Sequence, residues 1–99
     1  MKIKVKRLKT FREKTIGLIG KEIKPVTFET RFGIHTFGVK APIDVLILDS
    51  QEKVIALKES LSPKRIFLWN PINKIVVELP AGTITKNNIK KGTKISLSF

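Results

Sequence analysis

Between Pro42 and the polar loop that begins at Asp49 the chain reads IDVLIL, and beyond Asp44 no polar side chain interrupts it. The segment has strand length, and its apolar residues fall on both parities, so neither face is left for water. A strand of that kind must be covered on both sides, as in a closed barrel or the centre of a sandwich. It ends a longer stretch from Phe32, FGIHTFGVKAPIDVLILD, which also carries the only histidine. Core packing and candidate site chemistry therefore meet in one part of the chain.

Shorter strand signals surround it. Met1 to Lys6 alternates basic and apolar residues, which predicts a lysine-guarded edge strand with Ile3 and Val5 inward. Thr10 and Glu13 have capping-box spacing ahead of Phe11, Thr15, Leu18 and Ile19, so a short helix is expected from about Phe11 to Ile19, ended by Gly20. Pro25 restarts an extended segment with Val26 and Phe28 on one side, and Gly33 breaks it. His35, Phe37 and Val39 then share one side of the next extended piece. The polar residues 49–53 predict a hairpin between the central strand and VIALKESL, which Ser62-Pro63 stops.

Arg65 to Trp69 reads as one more short strand before the Asn70-Pro71 turn. KIVVEL is β-branched and apolar up to Pro80; Thr83 is expected to cap a helical turn running to Asn88; and KISLSF closes the chain with Ile95, Leu97 and Phe99 inward. Many short strands separated by turn signals define a mainly β (α+β) domain over residues 1–99. Its expected architecture is a small closed or partly open β-barrel with one short N-terminal helix and one helical turn near the C-terminus. An open two-layer α+β sheet is the alternative.

Composition narrows the function classes. The chain has no cysteine, which excludes disulfides, thiolate metal sites and a cysteine nucleophile. Its net charge is +12, the footprint either of a nucleic-acid binder or of a solvated surface. A lysine-rich, cysteine-free composition whose only methionine is Met1 fits a heat-adapted protein, although that reading expects more glutamate. The N-terminus lacks the apolar core of a secretory signal, and no apolar run is long enough to span a bilayer, so a cytoplasmic location and no membrane partner are expected.

Several short elements, taken in order, resemble the domain-of-unknown-function family 192. They are Lys14-Thr15-Ile16-Gly17-Leu18, Ile34-His35-Thr36-Phe37-Gly38-Val39, Pro42-Ile43-Asp44, Ser62-Pro63-Lys64-Arg65, the run Glu78-Leu79-Pro80-Ala81-Gly82-Thr83, and Lys91-Gly92. The resemblance covers the chain from about Thr10 to its end. Lys14 stands where the family usually has arginine and Val39 where it usually has methionine, which weakens any ligand role at those positions. The resemblance implies a compact β-rich fold with a helix and no assigned reaction. It also suggests that His35, Thr36, Asp44, Arg65 and Glu78 share one polar cleft. Many bacterial relatives look exported, and this chain departs from them in having no signal sequence.

A histidine beside a carboxylate serves as a general base or a proton-coupled ligand contact. The competing explanation is structural: His35 bonded to a backbone carbonyl, Asp44 capping a turn, and Glu78 either on an outer face or buried with a cation, for which Arg65 is the candidate. None of the serines lies in a G-x-S-x-G elbow, so a hydrolase triad has no support. His35, Asp44 and Glu78 resemble one-histidine, two-carboxylate ligation only loosely, and neither a metal nor a cofactor is expected. Trp69 reads as a core residue at a rim rather than a ring offered to a ligand.

Basic residues crowd both ends of the chain, with Lys4, Lys6, Arg7, Lys9 and Arg12 near the start and Lys90 and Lys91 near the close. If the first and last strands are neighbours, these clusters merge into one positive patch that a single strand of nucleic acid could track. The sequence thus favours a small non-enzymatic ligand-binding or interaction domain with a cleft around His35 and Asp44, its partner a small ligand or a protein. Electrostatic nucleic-acid binding is the alternative, and an enzyme built on His35 and Asp44 is a distant third. No oligomeric state follows from these patterns.

Overall fold

A computed structural model describes residues 1–8, 25–31, 33–35 and 41–99, with His35 described as backbone. The helix expected from Phe11 to Ile19, and Lys9, Arg12, Thr36, Phe37 and Val39, lie outside these residues. The described elements are β1 (Lys2–Lys4), β2 (Lys6–Arg7), β3 (Val26–Glu29), β4 (Ile34–His35), β5 (Ile43–Leu48), β6 (Val54–Leu61), β7 (Ile66–Phe67), β8 (Ile75–Pro80), α1 (Thr83–Lys86) and β9 (Ser96–Ser98). The protein is mainly β, with one single-turn helix among the described residues.

The central strand behaves as its composition demands. β5 lies inside a five-stranded sheet of order β2-β3-β8-β5-β6, antiparallel to both β6 and β8, and all six of its residues are buried. Its two parities feed two separate cores. Leu46 and Leu48 pack with Ile3, Val5, Val77, Leu79, Ile84 and Ile95, whereas Ile43, Val45 and Ile47 pack with Leu8, Val26, Phe28, Leu61 and Val76. Each fully buried aliphatic side chain contributes about 1.5–3 kcal/mol through its removal from water, so truncating Leu46 would remove one of the larger single contributions.

The two ends of the chain lie side by side. β1 pairs with β9 in parallel, Lys2 opposite Ser96 and Lys4 opposite Ser98, and the Val5 N–H continues the ladder to the Ser98 carbonyl at 2.8 Å. The strand then turns from one core to the other: Ile3 and Val5 enter the first, Leu8 the second, and β2 pairs with β3. Residues leading into β9 also bond the start of β6, with the Ile95 N–H on the Glu52 carbonyl at 2.8 Å and Lys53 opposite Lys94. β4 and β7 make a separate two-stranded sheet.

The β5–β6 hairpin follows from one side chain. Asp49 Oδ1 accepts the Gln51 N–H at 2.8 Å and the Lys53 N–H at 3.0 Å, an Asx-type turn that sets the return. The Lys53 bond, helped by that of Gln51, holds the Asp49 carboxyl below its ordinary value. Trp69 is half-buried against the second core and donates its Nε1–H to the Asn73 carbonyl at 2.7 Å, spanning the Asn70-Pro71 turn.

Two local expectations fail for identifiable reasons. Thr83 is not the helix cap: Gly82 occupies that position with φ of 94°, and the Thr83 hydroxyl instead donates back to the Pro80 carbonyl at 2.6 Å. Phe99 does not turn inward with Ile95 and Leu97. It is 63% exposed, because the covering layer has ended by that point and its ring meets Arg7 instead.

Candidate functional site

Asp44 sits in β5, fully buried, and both its carboxylate oxygens are occupied. Oδ1 accepts the Ser60 N–H at 2.8 Å and Oδ2 accepts the Ile84 N–H at 2.8 Å. The first bond pins an irregularity in β6, where Ser60 has φ of 50° and the register against β5 shifts between Ile43 and Val45. The second satisfies an otherwise orphaned donor in the first turn of α1. The geometry of the two bonds makes Asp44 a clamp between β5, β6 and α1.

Glu78 sits in β8 and is 5% exposed. Burial alone pushes its carboxyl from 4.5 up to about 7, since removal from water disfavours the charged form. Its cross-strand neighbours are Val26 on β3 and Val45 on β5, both in the second core. Asp44, in contrast, pairs with Leu79 of the first core. Paired residues share a face, so Asp44 and Glu78 project to opposite sides of the sheet.

Asp44 and Glu78 therefore do not line one cleft together. Arg65 is exposed after the end of β6, and burial is the cause of the Glu78 shift. The His35 backbone pairs with Ile66 across β4 and β7, and Thr36 lies outside the described residues. Among the described residues no group of three histidine, cysteine, aspartate or glutamate side chains is placed to hold a metal ion, and no helix is long and apolar enough to cross a membrane.

A different set of side chains does converge. Lys2 and Lys4 are exposed on β1, while Ile3 between them is buried. Across the pairing from them stand Ser96 and Ser98, small residues that leave the lysines uncovered. Lys94, two residues before Ser96 and so of the same parity, is exposed and faces Lys53, also exposed, across an antiparallel bridge. The Met1 ammonium donates to the Lys94 carbonyl at 3.2 Å, fastening the two ends together. Lys90 and Lys91 are exposed on the turn just before Lys94, and Lys6 and Arg7 continue beyond Lys4.

The condition for merging the terminal basic clusters, neighbouring first and last strands, is met among the described residues. Lys9 and Arg12 fall outside them. Nothing in the local sequence marks Lys53, because its place in this row comes from a bridge to a residue in a distant part of the chain. Alternation assigns Phe99 to the core, whereas its ring is exposed and lies against Arg7.

Fold and surface together define a small, strongly basic β-rich domain whose candidate carboxylates are divided between two sides of one sheet. The chain belongs to the domain-of-unknown-function family 192, described as Uncharacterized ACR, which it matches over residues 1–97. It is 37% identical over 70 residues to a UPF0127 protein of Pyrococcus abyssi (strain GE5 / Orsay); the match covers 69% of this chain and 59% of that protein, so the chain spans less than two thirds of its relative's length. Two solved structures have the same fold. One is a protein of unknown function from Novosphingobium aromaticivorans DSM 12444, with TM-score 0.77, 17% identity, and coverage of 89% of this chain and 70% of that one. The other is a putative transcription regulator from Sinorhizobium meliloti 1021, with TM-score 0.72, 17% identity, and coverage of 89% and 76%.

Proposed function

We propose that the domain is a non-enzymatic interaction module that binds single-stranded nucleic acid across the outer face of β1 and β9. The observation that carries this reading is the continuous row Lys53, Lys94, Lys2 and Lys4, assembled from both ends of the chain by the β1–β9 pairing and the Lys53–Lys94 bridge. Placing like charges opposite one another costs stability, so such a row suits a partner that neutralises it. In this reading the sheets wrap as a barrel, the ladder from β2 to β6 being joined through Glu52 to Val54 to the segment that leads into β9. A polar cleft built jointly on Asp44 and Glu78 is less well supported, since the sheet separates them and backbone N–H groups occupy both oxygens of Asp44.

The test is fluorescence anisotropy of labelled single- and double-stranded DNA at low and near-physiological salt. Neutralising three or four phosphates on a single strand gives a logarithmic salt slope of about −2 to −3, and each lysine reversed to glutamate should flatten it by about 1. Preference for the single strand, with loss of binding in Lys2→Glu/Lys94→Glu, is the expected result. Binding indifferent to these reversals, or absent near physiological salt, removes the proposal.

A further inference from the structure

At the end of the lysine row the Arg7 guanidinium carbon lies 4.5 Å from the centre of the Phe99 ring. The pair forms a wall between two hollows. One, of about 490 Å³, is shallow and lined by Val5, Lys6, Arg7 and Phe99. The other, of about 410 Å³, runs inward past Thr27, Ile75 and Leu97 to Glu52, a volume in the range of small-molecule sites. Glu52 is half-buried and held with φ of 62°; its Oε2 accepts the Leu97 N–H at 3.2 Å. Among the described residues no further hydrogen bond reaches its carboxylate.

We propose that Arg7 and Phe99 form a stacking platform for one unpaired base of a bound single strand, and that the base enters the inner cleft with its exocyclic amine donating to Glu52. This rests on the reading of the lysine face as a single-strand track. Three features favour that occupant. The aromatic ring is exposed and shares the outer hollow with Lys6 and Arg7, cations that can meet a phosphate as the strand leaves the lysine face. A guanidinium laid over one face of the ring offers its own outer plane as the next surface on which a base can stack. The carboxylate inside the cleft repels phosphate but accepts from cytosine N4, so only the base is admitted, and cytosine is preferred to thymine, which offers a carbonyl there.

Labelled oligodeoxycytidine and oligodeoxythymidine of equal length are titrated by anisotropy near physiological salt. The parent protein should bind the cytidine oligomer more tightly. Phe99→Leu should weaken both by about tenfold through lost stacking, and Arg7→Lys should do the same although the charge is kept. Glu52→Gln retains an oxygen for the Leu97 N–H but turns the remaining group into a donor, so the cytidine preference should vanish or pass to thymidine. Equal binding of both oligomers, unaffected by any of these variants, overturns the platform and leaves the lysine face standing. Failure of the parent protein to bind either oligomer overturns both.

Discussion

Asp44 and Glu78 stand on neighbouring antiparallel strands, one residue apart in register, and face opposite ways. Asp44 is opposite Leu79 and Val45 is opposite Glu78, so the sheet itself separates the two carboxylates. Each is embedded in a different apolar core, and each meets burial differently: Asp44 through two backbone donors, Glu78 by a shift towards its neutral form. Two acidic residues expected to share one polar cleft thus become one clamp and one buried acid.

The clamp makes a stability prediction. Asp44→Ala leaves the Ser60 and Ile84 N–H groups without their acceptors, at about 1–3 kcal/mol for each buried donor that stays unsatisfied. Asp44→Asn keeps one oxygen and should lose roughly half as much. Chemical denaturation of both variants measures the difference. Equal stability of the alanine variant and the parent would show that water or a rearranged turn replaces the carboxylate.

What the sequence makes legible here follows from locality. Ile43 to Leu48 announces a doubly covered strand because both parities are apolar, and Asp49 announces its hairpin because the donors lie within four residues. Thr83 misleads by one position since Gly82 takes the left-handed conformation and the true acceptor, Asp44, lies 40 residues away from Ile84. Phe99 misleads because alternation carries parity but not the point where a covering layer ends. The relative facing of Asp44 and Glu78 depends on strand register, which no local pattern encodes.

Gly33 should resist substitution. Its φ is 86°, and a Cβ built there would come 2.9 Å from the Phe67 carbonyl oxygen and would collide with the Leu68 side chain. Leu68 could swing away, but the carbonyl belongs to β7, which pairs with β4. Gly33→Ala is therefore expected to cost about 1–3 kcal/mol, through left-handed backbone strain and a displaced β4–β7 pairing. Thermal denaturation, with hydrogen exchange at the Ile34 and Phe67 amides, checks it; an unchanged melting temperature would mean that the pairing can shift freely.

Lys53 and Lys94 face each other with like charge, an arrangement that opposes folding at low salt. Lys94→Glu should accordingly raise the melting temperature in dilute buffer, lose that gain as salt is added, and weaken single-strand binding. A simultaneous rise in stability and fall in affinity would separate the role of this pair in binding from any role in the fold. A variant that melts lower at low salt would show that the repulsion is already relieved by solvent.

Glu78 predicts the sign of a pH dependence. Below about 4.5 the carboxyl is protonated in folded and unfolded chains alike and its burial carries no ionisation penalty. Between there and about 7 the unfolded chain ionises while the folded one keeps its proton. The folded state then binds more protons, so this residue's contribution to stability falls as pH rises, by on the order of 3 kcal/mol across the window. Above about 7 both states are charged and the penalty is constant. Asp49, whose carboxyl is held below 3.8, acts in the opposite sense at lower pH, which is why the comparison has to be with Glu78→Gln rather than with the parent alone. The glutamine variant keeps the side-chain length without the ionisation, so its stability relative to the parent should climb between about pH 4.5 and pH 7 and level off above that. Urea denaturation at several pH values gives that difference directly, and parallel curves for the two proteins would mean that the Glu78 carboxylate is solvated in the folded state.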